Sequence, residues 1–355
     1  VTKRHITYLA CTTVLLGGLA GTTPASAAHR LHVVRPGESI QKAVDAARSG
    51  DTVLVMGGTY HESVTVRTPG LTLRGMGRNT MIRPAQKGAT ASTRCLEGGD
   101  GICVVGAKDK PLTDVTVADL SVGGFARTGL WSTGTDRLTV RRVTADGNGQ
   151  WGIAEEHSTR GVFRENTARR NGDAGLFLAN SVTAEQGAAD TGGTVLARNH
   201  LADNRIGITV RRLRDLTVTR NEVTGNCAGV FVVGDENEPR AGALTISGNR
   251  VERNNKYCAK TARLPALQGS GIVLTGTERT LVTRNTVTGH SGTSPLSGGI
   301  VLFKSFVGAR SEQNRITGNH VEDNSPADLV DQEAAKSGNA FDGNACRVSR
   351  PAGLC

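Results

Sequence analysis

Two neighbouring residues of this 355-residue chain, Glu156 and His157, set a carboxylate beside an imidazole, and Arg211 and Arg212 supply adjacent guanidinium groups. These are the groups needed to take a proton from a carbon acid and to steady the charge left behind. His157 or Arg211 would remove the proton, with Glu156 assisting, so these three are the catalytic candidates. Trp131, Phe177, Phe231 and Phe303 add aromatic surface to a chain that is only 3% aromatic. Together with Arg212 they are the candidates for holding a substrate. Whether positions so far apart converge depends on the elements that carry them.

From about Leu112 onward the chain repeats itself, and a repeat governs every local reading. Leu216-Thr-Val-Thr-Arg-Asn221-Glu-Val-Thr-Gly-Asn226 recurs as Leu244-Thr-Ile-Ser-Gly-Asn249-Arg-Val-Glu-Arg-Asn254 and as Thr280-Leu-Val-Thr-Arg-Asn285-Thr-Val-Thr-Gly-His290. The same frame takes in Asn166 with Asn171, Asn199 with Asn204, Asn319 with Asn324 and Asn339 with Asn344. A glycine and an alternating apolar strand follow each frame, as in Gly175-Leu-Phe-Leu178, Gly207-Ile-Thr-Val210 and Gly271-Ile-Val-Leu274. Each repeat therefore carries three short strands. A coil of this size cannot bury its own apolar face, so coils must stack, each strand pairing in parallel with its copy about 4.8 Å away. The result is an all-β solenoid of three parallel sheets. The recurring asparagines are expected at its turns, adopting the left-handed conformation and bonding to the asparagine of the next coil.

In the Gly-Ile strands the residue after glycine faces inward and the next outward. One outward column runs Trp131, Ala154, Phe177, Thr209, Phe231, Val273, Val301, and a second runs Thr133, Glu156, Ala179, Arg211, Val233, Thr275, Phe303. The candidates for chemistry thus fall on one face. Ala179 between Glu156 and Arg211 leaves a gap in which a ligand could lie between opposite charges, and Ala154 leaves another between Trp131 and Phe177. Glu155 is a further charged residue of the same strand. Insertions flank these strands at 182–193, 234–242, 255–270, 291–298 and 304–312, and long loops on a compact scaffold commonly carry function. They either frame a groove or pack down over the aromatics.

The front of the chain differs. Residues 39–48 read as a short amphipathic helix with Ile40, Ala43, Val44 and Ala47 on one face, suited to cap the open apolar end of the solenoid. Residues 1–27 have the features of a secretory signal: basic Lys3 and Arg4, an apolar run, and the small-residue stretch Ala25-Ser-Ala27. The expected mature chain, 28–355, is one domain, with the cap and first coils over 28–111 and the Asn/Gly-Ile repeats over 112–355. It is expected to be secreted, to the extracellular space or cell envelope, with no integral membrane segment once the signal is gone. Its six cysteines suit an oxidising compartment. Fifteen pairings are open to six cysteines, and the spacing favours neighbours: Cys95 with Cys103, Cys227 with Cys258, Cys346 with Cys355. No metal ligand set or cofactor motif is evident. The formal charge of +10 falls to +8 without Lys3 and Arg4. That excess is scattered and not interleaved with aromatics, which argues against nucleic acid.

Pro36-Gly-x-Ser-Ile-Gln-x-Ala-Val-Asp-Ala-Ala-x-x-Gly-Asp-Thr-Val, Gly58-Thr-Tyr60-x-Glu62, Leu71-Thr-Leu-Arg-Gly75 and the Asn/Gly-Ile repeats resemble the pectate-lyase-like superfamily of right-handed parallel β-helix proteins. The resemblance implies a right-handed solenoid with a short N-terminal capping helix. It also implies a carbohydrate-active role drawn from lyases, hydrolases, epimerases, esterases and non-catalytic binders, with a groove over a parallel sheet. The family's calcium-binding aspartates, paired catalytic aspartates and Asp-Pro-His-Glu are missing, and Glu155-Glu-His157 is the nearest approach to the last. Three readings follow: a polysaccharide lyase or sugar epimerase working over the Gly-Ile sheet, a non-catalytic polysaccharide or envelope binder, or a cyclase or binder of an apolar secondary metabolite. In each the chain is expected to be a monomer whose partner is a polysaccharide or a small-molecule substrate.

Overall fold

A computed structural model describes residues 29–85, 94–107, 109–333 and 337–355; the expected signal over 1–27 lies outside the described residues. The strands form three long sheets in which every ladder is parallel. Sheet A has 14 strands, from Leu31–Val34 to Ala340–Asp342; sheet B has 10, from Gly58–His61 to His320–Glu322; sheet C has 11, from Val64–Val66 to Ser349–Arg350. Each strand pairs with its copy one coil on, as Thr217 with Thr245 in sheet A, Glu222 with Arg250 in sheet B and Val230 with Ile272 in sheet C. The chain is therefore a parallel β-helix.

Alternation along each short strand sends every second residue inward, and stacking aligns these into columns. Val117, Val140, Phe163, Leu196 and Val218 form one such column from sheet A, all without solvent exposure. Burial of this kind stabilises by about 1.5–3 kcal/mol per side chain. It is what holds coils that could not fold singly.

The asparagines stack as expected but not in the expected conformation. Asn199 Nδ2 donates to Asn221 Oδ1 at 2.9 Å, Asn221 to Asn249 at 2.9 Å, and Asn249 to Asn285 at 2.9 Å. A second ladder runs from Asn148 to Asn254, then through His290 and Asn324 to Asp328. The left-handed residue is the one before each asparagine, for example Arg198 (φ 53°), Arg220 (φ 54°) and Gly225 (φ 67°). An asparagine must aim its amide into the stack, so the chain reversal is absorbed one residue earlier. An arginine there costs about 1–2 kcal/mol of backbone strain. Arginines bond along the corner: Arg198 Nη2 meets Glu165 Oε1 at 3.1 Å, and Arg142, left-handed before Val143 at the equivalent position, meets Asp119 Oδ1 through Nε at 2.5 Å.

The capping helix spans Ile40–Ala46, shorter than expected, and buries Ile40 and Val44. Its first turn is held by Glu62, whose carboxylate accepts from the Ile40 and Gln41 N–H groups at 2.7 and 3.1 Å and from the Ser39 hydroxyl at 3.0 Å. Asp51 ties the helix end to the first strand by accepting from the N–H groups of Arg48 and Arg30, which hold its carboxyl well below the usual range. Tyr60 donates to the carbonyls of Val34 and Met56. The motif residues at this end are thus structural. The three expected disulfides are formed, with Cα separations of 5.7 Å (Cys95–Cys103), 6.0 Å (Cys227–Cys258) and 5.4 Å (Cys346–Cys355).

Candidate functional site

The register of sheet C places the outward columns where alternation puts them. Trp131, Ala154, Phe177, Thr209, Phe231, Val273 and Val301 are successive partners, and so are Thr133, Glu156, Ala179, Arg211, Val233 and Thr275. Glu155, between the two columns, turns inward into the core. Only 4% exposed, it lies against Gly161, where a Cβ would come within 3.0 Å of both carboxyl oxygens. Among the described residues its one polar partner is the Thr135 hydroxyl at 3.5 Å, and burial pushes its pKa up to about 8. It is therefore a neutral acid inside the solenoid at pH 7.

The gap over Ala179 is filled by the chain itself. Glu156 Oε1 accepts from the Val182 N–H at 2.7 Å, and Arg211 Nη1 donates to the Val182 carbonyl at 3.1 Å. Arg212 is buried; it pairs through Nε with Asp235 at 2.6 Å and donates from Nη1 to the Ala184 carbonyl at 2.5 Å. These groups fasten the loops that follow the sheet C strands. The insertion expected over 182–193 is shorter than read: Ala189–Ala197 is a strand of sheet A, bulged between Asp190 and Thr194.

The aromatic candidates divide into two sets. Phe177, Phe231 and Phe303 are 7%, 4% and 5% exposed, within a second apolar cluster on the outside of sheet C that also contains Leu267, Leu296 and Val301. Val182 and Leu264 pack against it, so the loops have come down over this face. Trp151, not singled out in the sequence, stacks on Phe177 with ring centroids 4.2 Å apart and donates from Nε1 to Asp173 at 3.1 Å. The signal for it was faint, because Trp151 precedes the strand and does not obey its alternation. Trp131 packs against the same cluster but is only half-buried, as are Thr133 and Glu156 in the neighbouring column. Beside them His157, left-handed at φ 50°, places Nδ1 3.9 Å from Glu156 Oε1 with about a third of its side chain exposed. An imidazole and a carboxylate thus approach each other on sheet C, with Trp131 one coil back in the adjacent outward column and Arg211 two coils on in the column of Glu156.

Residues 91–241 match the family described as "Right handed beta helix region", and residues 185–347 match "Periplasmic copper-binding protein (NosD)". No curated protein matches the sequence. Similar solved structures include the A-module of a mannuronan C-5 epimerase of Azotobacter vinelandii, at 18% identity and TM-score 0.63, covering 86% of this chain and 88% of that one. A DFA-IIIase of Arthrobacter chlorophenolicus without its lid is similar at 12% identity and TM-score 0.62, covering 90% and 89%. The periplasmic alginate epimerase AlgG follows at 14% identity and TM-score 0.51, covering 89% and 81%. At these identities the likeness is one of fold. Copper favours thiolate, thioether and imidazole ligands, and the segment matching NosD has no methionine. Its cysteines Cys227, Cys258 and Cys346 are in disulfides, and both ring nitrogens of His290 are taken up by the asparagine ladder. Among the described residues no group of three or more His, Cys, Asp or Glu is placed to hold a metal ion, so the residues do not fit copper.

Proposed function

This chain is a right-handed parallel β-helix of the pectate-lyase-like fold, and we propose that it is an exported carbohydrate-active protein, a polysaccharide lyase or sugar epimerase acting on uronate chains over sheet C. The observation that carries the reading is the Glu156–His157 pair, 3.9 Å apart, with half-buried Trp131 one coil back in the adjacent outward column. In both reactions a base removes the proton on the carbon next to a uronate carboxylate. His157 takes that proton, Glu156 orients the imidazole, Arg211 offsets the substrate carboxylate with the N–H groups not given to Val182, and Trp131 packs against a sugar face. Two fold neighbours, a mannuronan C-5 epimerase and an alginate epimerase, make polyuronates the first substrates to try. Three disulfides suit an oxidising compartment. Among the described residues no helix is long and apolar enough to cross a membrane.

The test is incubation of the purified protein with mannuronan, alginate and polygalacturonate, following ultraviolet absorbance for unsaturated ends and proton NMR for epimerised residues. Turnover by the native chain that is lost in His157→Asn supports the reading. No unsaturated product and no epimerisation on any polyuronate overturns it.

A specific observation favours a second reading, a non-catalytic polysaccharide or envelope binder: Glu156 and Arg211 already hold Val182. Polyuronate binding by a chain without turnover, retained in the Glu156→Gln, His157→Asn double variant, would select it. The third reading, an apolar ligand on the aromatic column, finds Phe177, Phe231 and Phe303 already covered.

A further inference from the structure

At the turn between sheets B and C an open cavity of about 440 Å³ is lined by Arg170, Asn171, Asp203, Arg205, Lys256 and Cys258, among others. Three of these are cations and one is an acid, and their bonds show which charges are spent. Arg170 Nη2 is paired with Asp146 Oδ2 at 2.5 Å. Among the described residues Lys256 Nζ donates only to the Asp203 carbonyl, at 2.9 Å. Arg205 is buried; its Nη1 and Nη2 donate to the carbonyls of Ala259 and Pro265 at 2.8 and 3.4 Å, and its Nε has no partner. A carbonyl satisfies a hydrogen bond but brings no opposing charge, so Lys256 and Arg205 bring positive charge to one cavity without a bonded carboxylate. Asp173 is close enough to favour the charged guanidinium, yet burial still pushes the Arg205 pKa down. An anion entering here gains what neither cation now has.

Two features favour a sugar over a bare oxyanion. Among the described residues the exposed Asp203 carboxylate has no hydrogen-bond partner and is available to accept from a hydroxyl, whereas it would repel free sulfate or phosphate. Tyr257, between lining residues Lys256 and Cys258, is 65% exposed, as an aromatic that packs on a sugar ring would be. The wall is also fixed in advance. Cys258 is tied to Cys227, and the loop beyond it is pinned by the two carbonyl bonds from Arg205, so little ordering remains to oppose binding.

We propose that this cavity is a binding site for an anionic sugar unit of an acidic glycan, bearing a carboxylate or a sulfate, with Lys256 and Arg205 on the acid group, Asp203 on a hydroxyl and Tyr257 beside the ring. It shares no residue with the sheet C site and stands whether or not that site is catalytic. Such a pocket would anchor one unit of a chain while other units lie elsewhere on the solenoid.

The experiment is calorimetric titration of the full chain with an oligogalacturonate, with a sulfated heparin tetrasaccharide and with inorganic sulfate. At least one oligosaccharide is expected to bind, with affinity falling as salt rises. Lys256→Glu should weaken it roughly tenfold or more, since it replaces an attraction by a repulsion. Tyr257→Ala should weaken the sugar without altering any residual sulfate binding, which keeps the proposal testable if Lys256→Glu does not fold. Affinity within twofold of the native chain in both variants overturns the site. So does failure of both oligosaccharides to bind, and sulfate binding as tightly as they do would overturn its assignment to a sugar.

Discussion

Glu156 and Arg211 grip opposite sides of one peptide unit pair: the first accepts the Val182 N–H and the second donates to the Val182 carbonyl. Two opposite charges in one column, separated by the small Ala179, are therefore bridged by backbone. Arg212 reinforces the same loop through the Ala184 carbonyl. Loss of the acceptor in Glu156→Ala should free the Val182 amide, costing about 1–3 kcal/mol locally. Hydrogen exchange at Val182 should rise in that variant and stay near native in Glu156→Gln, whose amide oxygen can still accept.

His157 separates chemistry from architecture. Its left-handed backbone suits asparagine, so His157→Asn removes the imidazole with little strain. Polyuronate turnover should drop by about 10²–10⁴-fold while the melting temperature is unchanged. A parallel loss of melting temperature would mark the residue as structural.

The ladder asparagines should respond in the opposite sense. Asn221 Oδ1 accepts from the Asn199 backbone and amide, and its own amide serves the Leu196 carbonyl and Asn249. Asn221→Ala strands several buried groups at once and should cost about 2–4 kcal/mol, read as a lowered denaturation midpoint. Any turnover should survive in the folded fraction.

Glu155 makes the fold less stable as pH rises from about 4.5 to about 8. Its folded pKa, raised to about 8, lies above the value near 4.5 of a free carboxyl, so between these pH values the unfolded chain has already lost the proton that the fold retains. Stability is full below pH 4.5 and falls as pH rises towards 8, by about 3 kcal/mol at neutrality. Glu155→Gln should recover most of this at pH 7 and change little at pH 4, as denaturant melts at the two pH values would reveal.

His290 gives acid sensitivity. Asn254 Nδ2 donates to its Nε2 at 3.0 Å and Asn324 Oδ1 lies 2.8 Å from its Nδ1, an arrangement that fits the neutral ring. Burial depresses its pKa to about 4, against 6.5 when exposed. The contribution is present above pH 6.5 and is lost as pH falls to about 4, amounting to about 3 kcal/mol. His290→Asn restores the ladder residue and should flatten this acid limb of the stability profile.

The periodicity at Asn221, Asn249 and Asn285, with a glycine and alternating strand after each frame, was enough to establish the coil, its three sheets and their register. In a stacked solenoid a residue's neighbours are its own copies, so repetition in sequence is contact in space. For the same reason the columns through Trp131 and Glu156 and the pairing of Cys227 with Cys258 across adjacent coils were legible. What loops do over a sheet is not periodic, and there the tertiary structure decided. Alternation can put Phe177 and Phe231 outside the coil, but only the descent of Leu264, Leu267 and Leu296 buries them. It can align Glu156 with Arg211, but the backbone that intervenes is Val182 from an insertion. The cavity at Lys256 and Arg205 joins a loop to a turn one coil or more away, a meeting fixed by where the loop folds back.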